Sequence, residues 1–335
     1  MIAFLKGTRL LALMALLAFG CGGGAQSRPT FLGSTENETV PTESKLAPKP
    51  KRTVPPSRDL GRYATSFHGV RASDGLALEP SAVMDDLSQA DAICFAEDHD
   101  NGRHHWLQSR ILRALLRRAG SSGREVGLGM EMFEKASQPV LDRYLSEKGG
   151  DEEVLLRETD WDHRWGHDYG LYRPLVRTAR RRGIPIVALN ARAELTRKVA
   201  RRGLRSLSRK ERKELPHLDM HNPQHRAAFR EAIEEHPHRG HPRRLYAAQV
   251  IWDETMADTA AEWLSERQPA RQLLILAGAQ HCRADAIPER IRRRVPSRVV
   301  SVRPVLANTG VNLPTLLETF DYAVVLESDE GLEQQ

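Results

Sequence analysis

The sequence is poor in cysteine, in lysine and in aromatic residues. Three cysteines in 335 residues are too few for a disulfide framework. Only 9 of the 50 basic residues are lysine. The arginines are spread along the chain and form no nucleic-acid-binding motif, so we expect no nucleic acid among its partners. Hydrophobic residues make up 40% and charged residues 28%, which excludes a fibrous or wholly disordered chain.

Several catalytic signatures are also missing. The chain has no HExxH metallopeptidase motif, no GxSxG nucleophile elbow, no glycine-rich phosphate loop and no CxxC pair. These absences leave zincin peptidases, serine hydrolases and nucleotide-binding enzymes without support. The apolar run at 10–19 is too short to span a bilayer comfortably.

Residues 1–20 have the pattern of a secretory signal peptide. Lys6 and Arg9 stand before the apolar run, and Cys21 follows the run directly. This arrangement resembles a bacterial lipobox, although Phe19 stands where a small residue is usual. Diacylation of Cys21 would anchor the chain on a membrane. The alternative is an ordinary cleaved signal with an incidental cysteine.

A proline-rich stretch follows at 21–64, with serine, threonine, lysine and glutamate between the prolines. It shows neither the period of a strand nor that of a helix. We therefore predict a low-complexity lipoprotein tether. The folded domain is expected at 65–330.

Within that domain, short apolar runs of strand length alternate with helical patterns. Continuous apolar runs are typical of a parallel sheet buried on both faces. The sequence therefore predicts an α/β fold with a largely parallel sheet flanked by helices. The runs lie at 92–96, 126–130, 184–189, 273–277, 298–302 and 322–326. Residues 204–266 show no strand pattern and are predicted as a smaller helical insertion, a lid or a dimerisation element.

Polar residues and a glycine follow four of these runs, where each strand ends. Because the carboxyl ends of parallel strands meet at one edge, where α/β proteins place their ligands, we expect them to form one cleft. In chain order they are Glu97, His99 and His104, then Glu131, Asn190, Gly278 and His281.

Two chemistries fit this cleft. Two carboxylates and two imidazoles suit one divalent metal ion that polarises a water for hydrolysis. The alternative is a hydrogen-bonded polar cluster that only closes the strand ends. The four candidate metal ligands are Glu97, His99, Glu131 and His281.

An aromatic segment between the second and third runs holds Trp161, Trp165, Tyr169 and Tyr172. Flat rings with phenol and imidazole groups nearby could grip a porphyrin, and tyrosine, histidine and methionine can all ligate haem iron. The alternative is an aromatic core cluster that anchors the following helix.

Two further features carry weaker expectations. Six histidines between 217 and 241 are expected in a solvated loop, with metal binding as the alternative. Cys94 lies inside a predicted strand and is expected in the core. Cys282 follows His281 and is expected near the cleft, where it would respond to a metal or an oxidant.

Seven blocks in sequence order together resemble the ChaN-like haem-binding lipoproteins of the Tiki superfamily. They are AEDHDN at 96–101 with HH at 104–105, GMEMF at 129–133, WD and WG at 161–166, YRPL at 172–175, the segment 184–191, QVIWDETMA at 249–257, and GAQH at 278–281. The last block stands for the GxxH of the superfamily. Ala96 departs from the family pattern, because a glycine is usual before the glutamate.

The resemblance implies an α/β core, haem as the cofactor, attachment to the outer membrane facing the periplasm, and a part in haem or iron uptake. It leaves open a homodimer that encloses haem and an outer-membrane receptor as a partner. The same superfamily contains metalloproteases and erythromycin esterases, so a metal-dependent hydrolase is the alternative. Glu97, His99, Glu131, Gly278 and His281 match the family pattern and are expected in the cleft.

Overall fold

A computed structural model describes residues 59–146, 150–235, 240–266 and 269–327. The predicted signal peptide, Cys21 and most of the predicted tether lie outside the described residues. Everything described below, including the sheet and the apolar cores, is built by residues between Asp59 and Glu327. A chain that starts at Gly22 therefore keeps the whole described fold.

One sheet holds all the strands of the described residues. Its order is β2-β1-β8-β7-β3-β6-β4-β5. The pairs from β8 to β5 are parallel, and only β1 pairs antiparallel with its two neighbours. The strands are β1 Phe67–Arg71, β2 Ala77–Leu78, β3 Ala92–Glu97, β4 Glu125–Glu134, β5 Ile186–Asn190, β6 Arg271–Gly278, β7 Val299–Leu306 and β8 Tyr322–Leu326.

Helices cover this sheet, and the predicted α/β fold with a largely parallel sheet is confirmed. The helices are α1 Pro80–Leu87, α2 Gly102–Ser122, α3 Gln138–Ser146, α4 Glu152–Glu158, α5 Trp161–Arg164, α6 Tyr169–Arg182, α7 Ala193–Arg202, α8 Arg209–Lys213, α9 Pro223–Glu235, α10 Pro242–Ser265, α11 Ile287–Arg292 and α12 Leu313–Leu317. Strands β3 and β5 are buried at every position, as the apolar runs require.

The two helices that flank the cleft begin at side-chain caps. Asn101 accepts a hydrogen bond from the backbone N–H of Arg103 at the start of α2, at 3.1 Å. Asp168 accepts one from the N–H of Gly170 at the start of α6, at 2.8 Å. Such caps satisfy helix N–H groups that have no partner within the helix. They fix the loops that lead from β3 and from α5 into the cleft.

The packed structure begins before the predicted boundary at residue 65. Leu60–Tyr63 form a 3-10 turn, and Leu60 is buried in the core. The ring of Tyr63 lies against Gly102, where an added Cβ would come within 2.3 Å of it. The end of the predicted tether is therefore part of the fold.

The region 204–266 holds a 3-10 turn, α8, α9 and α10, and no strand among its described residues. Helix α10 is buried along most of its length. Its Met256, Ala257 and Ala260 belong to the same apolar cluster as Leu273 and Ile275 of β6. This helix is thus one of the layers that cover the sheet.

The structure confirms that Cys94 lies in the core and corrects the expectation for Cys282. Cys94 of β3 and Cys282, just beyond β6, form a disulfide across 188 residues of sequence. Both are fully buried. Because β3 and β6 are paired neighbours, residues far apart in sequence meet here. Cys282 is therefore a structural partner of Cys94 and not a free thiol.

Candidate functional site

Four parallel strands end at one edge of the sheet and bring the predicted cleft residues together. Glu97 of β3 lies opposite Gly278 of β6 in the ladder. The backbone N–H of Gly278 donates to Oε2 of Glu131 at 2.7 Å. Asn190 donates through Nδ2 to the carbonyl oxygen of Glu131 at 2.9 Å. The polar strand ends are thus joined by direct hydrogen bonds.

Glu97 is fully buried, and its carboxylate accepts several hydrogen bonds. The hydroxyl of Tyr172 donates to Oε1 at 2.5 Å, and Nδ1 of His99 lies 3.0 Å from the same oxygen. Gln108 donates to Oε2. Burial raises the pKa of Glu97, but the charge of His105 and the hydrogen bonds from His99 and Tyr172 outweigh it and bring the pKa to about 2. Glu97 is therefore an ionised acceptor with no free oxygen.

A second buried chain of charges crosses from β4 to α10. Nε2 of His281 lies 3.4 Å from Oε1 of Glu131, and its Nδ1 lies 2.5 Å from Oδ1 of Asp253. The other oxygen of Asp253 lies 2.8 Å from Nε2 of His225. Burial lowers the pKa of His281, but the charges of Glu131 and Asp253 outweigh it and raise the pKa to about 9. At neutral pH, His281 is thus an imidazolium between two carboxylates.

The site expected from the sequence did not include Asp253 or its helix neighbour Gln249. Gln249 and Asp253 are four residues apart on α10, so they lie on one face of the helix. The sequence signal that could have identified them was the presence of polar residues within a helix that is otherwise buried. His225 was expected in a solvated loop, but it is buried and bound to Asp253. Among its neighbours in sequence, His221 is exposed as expected.

Close packing at Gly278 leaves little room for a side chain. An added Cβ would stand 3.1 Å from Cε1 and 3.2 Å from Nε2 of His99. Burial lowers the pKa of His99, but its hydrogen bond and charge interaction with Glu97 outweigh burial and raise the pKa. The glycine therefore lets this imidazole lie directly on the end of β6.

His104 stands outside the cluster. Its Nδ1 accepts a hydrogen bond from the backbone N–H of Asp98 at 3.0 Å. Burial and the charge of Arg303 hold its pKa well below the usual range, so the ring is neutral. His104 shapes the loop after β3, and a role in ligand contact stays a prediction.

The four aromatic residues proposed to grip a porphyrin are all buried. They pack against one another and against Phe133, with ring centroids 5.1 to 6.3 Å apart. The hydroxyl of Tyr169 and Nε1 of Trp165 have no hydrogen-bond partner in the described part of the chain. This packing is that of the alternative, an aromatic core cluster. Contact of Trp161, Trp165, Tyr169 and Tyr172 with haem stays a prediction.

His167 is the one residue of this segment that the sequence-based site omitted and the structure places at the cleft surface. Its ring is half-buried, with its centroid 4.8 Å from that of His99 and 5.3 Å from that of Trp165. Burial and the charge of His99 lower its pKa to about 4. Its ring nitrogens have no hydrogen-bond partner among the residues that the structure describes. His167 is therefore a neutral imidazole at the surface, and one of its ring nitrogens has a lone pair to donate.

The cleft does not fit the predicted divalent metal. No group of three or more histidine, cysteine, aspartate or glutamate side chains in the described ranges is arranged to hold a metal ion. The donors are already engaged, because Glu97 accepts hydrogen bonds on both oxygens and His281 is protonated. A metal ligand must be a deprotonated group. The set of Glu97, His99, Glu131 and His281 is instead a hydrogen-bonded network.

A groove of about 660 Å³ lies beside the cleft, between α9, α12 and the ends of β6 and β7. Such a volume is within the range of small-molecule sites. Its walls include alanines of α9, with Arg283 and Arg303 as the cations. Its lining has no histidine, tyrosine, methionine or cysteine among the described residues.

The part of the chain that forms the cleft matches one protein family. Residues 83–291 match the family described as haem-binding uptake, Tiki superfamily, ChaN. The match covers more than half of the chain and includes β3, β4, β5 and β6 with the residues that follow them. This chain belongs to that family, and the resemblance seen in its motifs is confirmed.

Individual relatives are distant. ChaN of Campylobacter jejuni, whose structure describes cofacial haem binding, is 20% identical, with a TM-score of 0.63 over 78% of this chain and 97% of that chain. This likeness shows the fold. Protein RETICULATA-RELATED 5, chloroplastic, of Arabidopsis thaliana is 24% identical over 212 residues, which are 57% of this chain but only 28% of that protein. An erythromycin esterase variant in its open conformation is 11% identical, with a TM-score of 0.40 over 80% of this chain and 86% of that chain.

Proposed function

We propose that this protein binds haem non-covalently at the strand-end cleft, and that it does so as a membrane-anchored lipoprotein in haem or iron uptake. The observation that carries the proposal is the family match, which includes all four strand ends of the cleft. The family is a haem-binding uptake family, and its member from Campylobacter jejuni binds haem cofacially.

His167 is the residue that fits the iron. To ligate haem iron, a histidine must present an unprotonated nitrogen and a tyrosine an ionised oxygen, at an accessible position. Tyr169 and Tyr172 are buried, and burial raises the pKa of both phenols well above 10. His99 and His281 are buried and engaged with carboxylates. His167 alone of these residues combines exposure, neutrality and unpaired ring nitrogens.

The remaining geometry supports a haem held at the surface. The groove beside the cleft has only partly apolar walls and no iron ligand among its described residues, and its two arginines are already paired with Asp285 and Asp98. A haem bound through a half-exposed imidazole keeps one face open. A second protomer could cover that face, so the homodimer remains part of the proposal.

Export to an oxidising compartment is supported by the disulfide. Disulfides persist outside the cytosol and are rare within it, and Cys94 and Cys282 are joined here. Within the described ranges, no helix has the length and apolar character of a membrane span. Anchoring is assigned to Cys21, in the outer membrane with the domain facing the periplasm. An outer-membrane haem or iron receptor is the proposed partner. The proposed lipidation of Cys21 is tested by measuring the mass of the mature N-terminus on protein extracted from bacterial membranes.

The proposal for haem is tested by titration of the chain that starts at Gly22, followed by absorbance in the Soret region. We expect a saturable band whose position changes in His167→Ala, with binding at least tenfold weaker. The matched control is His163→Ala, because His163 lies in the same segment and its side chain is 81% exposed. A titration in which both variants behave like the unchanged chain contradicts the role of His167. A titration without saturation contradicts haem binding itself.

A further inference from the structure

A strongly basic surface stands apart from the cleft, at the end of α7 and on α8. Seven cations and one acid lie between residues 201 and 213, so this short segment alone carries a net charge equal to the +6 of the whole chain. All seven cations are exposed. We define the basic surface as Arg201, Arg202, Arg205, Arg209, Lys210, Arg212 and Lys213.

The structure holds these cations together. Nζ of Lys198 on α7 lies 2.8 Å from both carboxylate oxygens of Glu211 on α8. The guanidinium of Arg212 donates to the carbonyl oxygen of Arg205 at 3.1 Å. These bonds tie α7, the 3-10 turn Leu204–Ser206 and α8 into one local unit, so the charges share a surface.

The nearby acids do not neutralise the basic surface. Glu211 pairs with Lys198, Glu214 pairs with Arg192, and Glu194 lies beside Arg164, Arg192 and Arg197. None of these four basic partners belongs to the basic surface. Its seven cations make no ion pair with any acid of the described ranges.

The composition of the surface indicates what it contacts. The segment 197–213 contains no aromatic residue for stacking on bases and no asparagine or glutamine for reading base edges. The large exposed apolar side chains of the described residues, Leu76 and Val311, lie elsewhere in the chain. The surface therefore offers charge without insertion or base readout, which suits the headgroups of an anionic bilayer.

We propose that the basic surface docks the folded domain onto anionic phospholipid headgroups of the membrane that carries it. The inference rests on the membrane anchoring proposed above, and not on haem. Only 37 residues separate Cys21 from Asp59. Even fully extended, a segment of that length reaches at most roughly 130 Å. The anchor therefore keeps the domain at a high effective concentration beside the bilayer. At such a concentration, weak charge contacts are enough to hold the basic surface on the headgroups.

Vesicle co-sedimentation tests this directly, with the chain that starts at Gly22 so that no lipid anchor contributes. We expect binding to vesicles of phosphatidylcholine mixed with phosphatidylglycerol, no binding to phosphatidylcholine alone, and loss of binding at high salt. The triple variant Arg202→Gln, Arg205→Gln and Arg209→Gln should weaken partitioning on the order of 100-fold.

The matched control removes three exposed arginines elsewhere, by Arg113→Gln, Arg117→Gln and Arg157→Gln. It should keep its partitioning to within about threefold. An equal loss in both variants overturns the proposal, because net charge alone would then explain binding. Tighter binding of a duplex oligonucleotide than of anionic vesicles at the same salt also overturns it. The haem titration of the first variant should be unchanged, so failure of the docking surface and failure of haem binding are separate results.

Discussion

Raising the pH from 6 to 10 tests the charge state that the structure assigns to His281. The pKa of this imidazole is about 9 in the folded chain, against 6.5 in an unfolded one. Because the folded pKa is the higher, protonated His281 stabilises the fold fully below pH 6.5. That stabilisation is lost as the pH rises through 9. The shift corresponds to about 3 kcal/mol of unfolding free energy.

The variant His281→Gln removes this titration. At about pH 6, it should unfold with about 3 kcal/mol less free energy than the unchanged chain, because Glu131 and Asp253 lose the cation between them. At about pH 10, where His281 is neutral, the difference should fall to about 1 kcal/mol or less. Urea unfolding followed by circular dichroism at several pH values gives both numbers. His163→Gln, an exposed control, should track the unchanged chain throughout.

A difference between His281→Gln and the unchanged chain that stays constant from pH 6 to pH 10 would refute the reasoning. It would mean that His281 acts through shape and hydrogen bonding, with no change of charge in this range. An increase of the difference with pH would contradict the sign of the shift itself.

Three further variants test the packing of the site. Gly278→Ala places a Cβ against His99 and should cost about 1–3 kcal/mol in urea unfolding; an unchanged midpoint would show that the imidazole moves freely. Reduction of the Cys94–Cys282 disulfide should lower the unfolding free energy by about 3–5 kcal/mol, and equal stability with and without reductant would argue against this bond. Tyr172→Phe removes a donor to a buried carboxylate and should cost about 1–3 kcal/mol by the same assay, whereas a neutral result would place water there.

The sheet was predictable wherever a strand is buried on both faces. The apolar runs at 92–96 and 273–277 became paired strands, because a central parallel sheet with helices on both faces buries such runs. The strand Phe67–Arg71 was not predicted. It pairs antiparallel beside a two-residue edge strand, and its sequence FHGVR has no continuous apolar run. Its Gly69 makes room for Val83 of α1, a contact that no local pattern reveals.

The sequence predicted which edge of the sheet carries the site, but it did not predict all members of the hydrogen-bonded network there. Glu97 and His281 follow strands, and parallel strand ends must meet. Asp253 reaches the same place from a helix that packs over the sheet, so neighbouring strands give no hint of it. The Cys94–Cys282 pair needed the order of β3 and β6 in space. His167 lies among buried aromatic residues, and the sequence does not show that its side chain is the more exposed one.

Size-exclusion chromatography of the chain that starts at Gly22, mixed with excess haem and monitored at both protein and Soret wavelengths, tests the central claim most directly. We predict that haem co-elutes with the protein at a fixed ratio, and that the ratio falls in His167→Ala but not in His163→Ala. A shift of the loaded protein to the elution volume of a dimer would support the proposed homodimer. Elution of the protein free of haem would contradict the assignment of haem binding to this chain.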